Sequence, residues 1–146
     1  MQDISSTTPT ATRPVAAGLV YTLRVLILVH AVSLIVAAAM AGSSFAYQGE
    51  ALTFDNTATE PHVMVGMVSH LLSLLQLIAA ILYWRPGRGA GWPALVSLLL
   101  LVMSIGQHFL LAVGINAHLP NGVLLFGLSL WLTVWSWSQR ATVRHG

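Results

Sequence analysis

The chain has no cysteine and no lysine, and only four acidic residues in 146. Without cysteine there can be no disulfide, no thiolate zinc site and no cysteine-held iron–sulfur cluster. Charged residues make up 7% of the chain, against about 25% in an average soluble domain, which argues against a soluble fold. No paired carboxylates fall inside an apolar run, no nucleophile–base arrangement appears, and no glycine-rich phosphate loop is present. All six basic residues are arginines, and they are scattered. The pI of 9.7 therefore comes without the basic run that nucleic-acid binding needs, and no nucleic-acid partner is expected.

What fills the chain is apolar. Hydrophobic residues reach 56%, and at this length they make one domain. The expected fold is all-α: a polytopic membrane protein built as an antiparallel four-helix transmembrane bundle. The spans are expected at about 17–42, 61–84, 92–113 and 117–139, surrounded by membrane lipid. Between Gly89 and Gln139 no charge appears, which leaves room for two crossings of about 20 residues each, broken at Gly114-Ile115-Asn116. Residues 1–16, rich in Ser, Thr and Pro, read as a disordered cytoplasmic tail, and 140–146 as a second cytoplasmic tail. Ala37-Ala38-Ala39-Met40-Ala41-Gly42 admits two readings. Its small residues suit close helix packing, and its Ala-x-Ala pattern suits a signal cleavage site. The 43–61 connection holds Glu50, Asp55 and Glu60, with Pro61 placed for the first turn of the next helix.

Arg13, Arg24, Arg85, Arg88, Arg140 and Arg144 all fall on one side of this topology. The positive-inside rule then puts both termini in the cytoplasm of a bacterial-type cytoplasmic membrane, with the 43–61 loop outside. Trp84, Trp92, Trp135 and Trp137 mark the inner interface.

The candidate chemistry lies in the histidines. Glu60-Pro61-His62-Val63-Met64-Val65-Gly66 is echoed by Asn116-Ala117-His118-Leu119-Pro120-Asn121-Gly122. His62 precedes Arg85 by 23 positions and His118 precedes Arg140 by 22, so two helical runs would hold both imidazoles at nearly one depth. A glycine four positions on lies about 40° round the helix and one turn deeper. Gly66 and Gly122 would thus remove a Cβ where a flat macrocycle, held by the imidazole, would lie. Neutral imidazoles are common haem-iron ligands. The alternative is that these glycines only let helices approach. His70 and His108 form a competing pair, about 21 and 24 Å from the inner interface. They are candidates for ligation, for lining the pocket or for proton transfer. His30 has no partner at its depth and reads as a hydrogen-bonded packing residue. Gln107, beside His108, is the polar residue best placed to join the pocket. Trp131 and Trp135, four apart, suit interface anchoring. Repetition of His-x-x-x-Gly in spans two and four also suggests two hairpins related by a pseudo-twofold axis, which brings those spans face to face.

Over roughly residues 17–139 the pattern resembles one half of haem A synthase, whose halves are four-helix membrane bundles. The second- and fourth-helix histidines of such a half ligate haem. By that resemblance His62 corresponds to the second-helix ligand, with Glu60 loosely matching a preceding acid. His118, trailed by Leu124-Leu125-Phe126-Gly127-Leu128, corresponds to the fourth-helix ligand. The chain is also similar to small bacterial four-span proteins with the same His-x-x-x-Gly feature. It differs from haem A synthases in having one half only, in lacking their paired loop cysteines, and in carrying Val63 where an arginine often follows the ligand. The resemblance therefore implies haem binding more than haem modification.

These readings converge on a membrane cytochrome of b type. His62 and His118 would be the iron ligands of one haem b, with Gly66, Gly122, His70 and His108 around it. Its work would be one-electron transfer or haem holding, with a quinone or a redox protein as partner and a homo-oligomer as a candidate assembly. The rival readings are a non-enzymatic subunit or scaffold of a larger complex, and a membrane oxidase resembling haem A synthase.

Overall fold

The computed structural model describes residues 14–48, 51–54 and 59–145. Four long helices dominate: α1 (Ala17–Gly42), α2 (Glu60–Trp84), α3 (Trp92–Val113) and α4 (Ile115–Ser136). Each is long and apolar enough to cross a membrane, the shortest having 22 residues, or about 33 Å of rise against a hydrocarbon layer of about 30 Å. The protein is a multi-pass membrane protein with an all-α four-helix bundle fold. The helices pack in a ring, α1 on α2, α2 on α3, α3 on α4 and α4 back on α1, which leaves α2 and α4 facing across the diagonal.

Local sequence explains where the helices begin and end. Pro61 and Pro93 sit in the first turns of α2 and α3, where a missing N–H costs no helical bond. Gly114 stops α3 at φ +136°, backbone that L side chains avoid, and the same residue precedes α4. Spans one, two and three match the expected ranges to within a residue. The fourth begins and ends earlier than 117–139, because Ser138 turns extended (ψ 160°) and Gln139–Thr142 forms a separate 3-10 turn. That turn buries Ala141, whose carbonyl accepts the Tyr83 hydroxyl at 3.0 Å.

One further expectation needs correction. Residues 14–16, placed with a disordered tail, are docked: Pro14 bridges Val143, and the Val15 N–H donates to the Thr142 carbonyl at 2.9 Å. Val15 is buried, so apolar contact outweighs the polar character of the segment before it. The rest of that tail, 1–13, lies outside the described residues. The stretch after α4 is docked as well, since the His145 N–H donates to the Arg88 carbonyl at 2.7 Å. The 43–61 connection contains an antiparallel hairpin, β1 (Phe45–Gln48) with β2 (Ala51–Phe54), Phe45 opposite Phe54. Glu50 and Asp55 lie outside the described residues.

Small residues form the α1–α2 seam. Ala31, Ser33 and Ala37 of α1 and Ser69, Ser73, Ala79 and Ala80 of α2 are all buried, and Ser33 and Ser69 share a hydrogen bond at 2.9 Å. Lipid tails are as apolar as leucine, so such close packing and cross-helix hydrogen bonds must supply the association. The large fully buried side chains, Leu23, Ile27, Tyr83, Leu100, Leu125 and Leu132, lie between mid-bundle and the end that carries the termini and the Arg85–Arg88 turn. Arg24 is tied down at that end by donating to the Ser136 carbonyl at 2.6 Å, at the negative end of the α4 dipole. At the opposite end, where α1 finishes and α2 starts, the buried residues are small or polar: Ala37, Ser44, Ser69 and Ser104.

Candidate functional site

The loosely filled end holds the histidines. His62, in the first turn of α2, and His118, in the first turn of α4, reach across the diagonal until their ring centroids are 6.1 Å apart, with the planes at 68°. Each ring is fixed by its Nδ1. His62 Nδ1 lies 2.8 Å from the Ala37 carbonyl of α1, and His118 Nδ1 lies 3.1 Å from the Gln107 carbonyl of α3. A carbonyl can only accept, so Nδ1 carries the proton on both rings and each Nε2 keeps its lone pair. A backbone carbonyl bonded to the other ring nitrogen is what usually sets the tautomer and aim of a metal-binding histidine. All four helices thus take part: two supply imidazoles and two supply the backbone groups that orient them.

The glycines differ from one another. A Cβ at Gly66 would meet nothing within 4 Å, so the expected open space is there. A Cβ at Gly122 would come to 3.2 Å from the Gln107 side-chain amide. Gly122 therefore makes room for a neighbouring amide. Gln107 does join the site, as its position beside His108 suggested. With its amide nitrogen toward the His118 carbonyl (3.1 Å) and its oxygen toward the Gly122 N–H (3.2 Å), it braces α4 beside Pro120, which removes one helical N–H. Asn121 adds a second brace by donating to the Met103 carbonyl at 3.0 Å.

His70 and His108 also meet, but differently. Their rings stack at 4.9 Å between centroids, 23° from parallel. His70 Nδ1 bonds the Gly66 carbonyl one turn back, at 2.5 Å, and its Nε2 is buried without a partner. His108 is exposed on the bundle surface. His30 is fully buried and bonds Gln76 Oε1 through Nδ1 at 2.9 Å, while Gln76 donates on to Ser97 at 3.0 Å. That fits the packing role read from sequence, with the partner supplied by α2. Trp131 and Trp135 gather around Trp92 at 4.8 and 4.6 Å, at the far end of the bundle.

Sequence reasoning missed the Ala37 and Gln107 carbonyls and the Asn121 amide. Backbone groups leave no trace in residue identity. Asn121 did leave one, as a polar residue inside the first turns of an apolar run.

Fold and site together define a four-helix multi-pass membrane protein with two oriented imidazoles converging near one end. No family model, curated protein or solved structure matches the chain. The likeness to haem A synthase accordingly rests on His62, His118 and their surroundings alone.

Proposed function

We propose that the protein is an integral-membrane cytochrome of b type, in which His62 and His118 would hold the iron of one haem b. The observation that carries this reading is the pairing of the two imidazoles across the bundle diagonal, each anchored at Nδ1 with Nε2 free. Two imidazoles bound on opposite sides of one metal, with bonds of about 2.0 Å, have ring centres about 6 Å apart. The 6.1 Å of His62 and His118 suits that arrangement, and the stacked 4.9 Å of His70 and His108 does not. Among the described residues no three His or carboxylate groups converge. A two-imidazole donor set is too small for a closed zinc site but sufficient for haem, whose macrocycle supplies the other donors.

When bound, the haem would supply one-electron iron chemistry. This chain's residues would do the rest. The Ala37 and Gln107 carbonyls hold the two imidazoles in register. Gly66 would leave the macrocycle its space, and the apolar helix faces and lipid around the site would exclude bulk water from it. In this reading the arginine-bearing end faces the cytoplasm of a bacterial-type membrane, by the positive-inside rule, and the haem lies near the opposite face. A quinone or a redox protein would exchange the electron, unless the protein holds haem for another. The haem A synthase likeness points to the same ligand pair.

The test is spectroscopic. Protein purified in mild detergent from haem-replete cells should show a sharp reduced-minus-oxidised band, a pyridine haemochrome of haem b, and about one haem per chain. A colourless preparation that also fails to take up added haemin overturns the assignment.

A further inference from the structure

The opposite end of the bundle holds a second feature that the haem reading does not use. A cavity of about 1080 Å³ opens there, with Arg85, Arg88, Arg140 and His145 on its lining. Trp84, Trp92, Trp131 and Trp135 line it as well. The cationic residues come from two separate segments, the α2–α3 turn and the C-terminal stretch, and backbone contacts lock these together. The His145 N–H bonds the Arg88 carbonyl, and Val15 bonds Thr142. The turn itself is tightly seated, since a Cβ at Gly89 would fall 2.2 Å from the Tyr83 ring and one at Gly91 2.7 Å from the Trp84 indole nitrogen. The close approach of this turn requires both glycines.

Charge is unbalanced at this end. Among the described residues the one acid is Glu60, which opens α2 at the far end of the bundle. None of the three guanidinium groups has a hydrogen-bond or ion-pair partner among those residues. Arg85 lies over the Trp84 ring at 4.4 Å, a contact that leaves the guanidinium edge and its N–H donors free. Arg88 holds left-handed backbone at φ 55°, which is uncommon for a side chain of this kind and marks a place to look for function. Arginine clusters are suited to phosphate oxygens through paired N–H bonds. Tryptophan belongs at the level of lipid headgroups. From the cavity mouth, the exposed side chains of Leu95, Trp131 and Val134 continue an apolar surface along α3 and α4, where acyl chains can lie.

We propose that this cavity binds the phosphate headgroup of an anionic phospholipid, with Arg85, Arg88 and Arg140 as its donors and the tryptophans as its walls. Basic pockets between membrane helices recognise lipid headgroups by this chemistry. The proposal is independent of haem.

Native mass spectrometry of the full chain tests it, using phosphatidylglycerol, phosphatidylcholine of the same acyl composition, and sn-glycerol 3-phosphate. The wild type should retain phosphatidylglycerol over phosphatidylcholine by tenfold or more. Arg88→Gly removes one cation while giving the φ 55° backbone the residue it favours, so the bundle should stay folded by circular dichroism. It should lower retention about fivefold, as should Arg140→Gln. The double variant should lose the preference, and Arg140→Lys should keep most of it. Equal retention of the two lipids by the wild type overturns the proposal, as does undiminished preference in the double variant. Displacement of the lipid by millimolar sn-glycerol 3-phosphate would make this a site for soluble phosphate and overturn the lipid assignment. Failure of that compound to displace supports it.

Discussion

The two ends of the bundle are built on different plans. At the arginine-bearing end the helices close on Leu23, Ile27, Tyr83 and Leu132, and the chain's first and last described segments are stitched to each other and to the α2–α3 turn. At the histidine end no large apolar side chain among the described residues is fully buried. The helices are held there by single polar contacts: Ser33 to Ser69, His62 to Ala37, His118 to Gln107, and Asn121 to Met103. The first plan gives rigidity through contact area. The second gives up contact area but keeps orientation, which is what a site for a large flat ligand needs. Stability and function are thus expected to separate along the membrane normal, and substitutions at the two ends should report on different things.

The largest effect should follow His62→Ala or His118→Ala. Either should abolish the haem band while the helical circular dichroism and monodisperse elution persist, because neither ring fills the apolar core. Retention of a full-intensity band by both variants would break the comparison at its functional side. Next comes Leu132→Ala, at a fully buried position. In a bilayer the transfer contribution largely drops out and lost packing remains, so the cost should be about 2 kcal/mol, the low end for such changes. Leu119→Ala, where the side chain is 54% exposed, should stay within about 0.5 kcal/mol in the same thermal or denaturant assay. Equal losses at the two positions would mean that the ends are packed alike.

Gly66→Val sharpens the contrast further. An added Cβ meets nothing in the protein, so haem-free stability should change by less than about 1 kcal/mol, whereas haem affinity should fall about tenfold on titration with haemin. Unchanged affinity would show that the space beside Gly66 is not the haem cradle. The smallest effect is expected from His108→Ala. Its side chain is exposed, and its ring lies stacked on His70, so the haem band should keep its position and intensity. Loss of the band here, with survival in His62→Ala, would transfer ligation to the other pair.

Much of this architecture is legible from residue order. Charge, glycine and proline punctuate the apolar runs so sharply that α3 emerges at 92–113, and Gly114 announces the break before α4. The meeting of His62 and His118 is legible too, because equal distances from two arginines encode equal depth. What stays hidden is lateral. His30 looks partnerless because its partner, Gln76, comes from a neighbouring helix whose rotation no spacing records. His70 and His108 are paired by depth in the same way, but that their rings stack depends on a rotation that spacing does not record. The hairpin at Phe45–Phe54 consists of strands of four residues, too short for alternation to stand out. The docking of residues 14–16 escapes for another reason: Pro14 and Val15 carry it, and composition averages over single residues.

The one-residue joint at Gly114 has a mechanical corollary. With no slack between the third and fourth crossings, the azimuth of α4 is set by α3, and the aim of the His118 imidazole is inherited from the helix before it. Lengthening that joint by a few flexible residues would leave four crossings in place and every side chain unaltered, yet let the imidazole wander off its counterpart. The protein would then be a bundle that has lost its focus, not its fold.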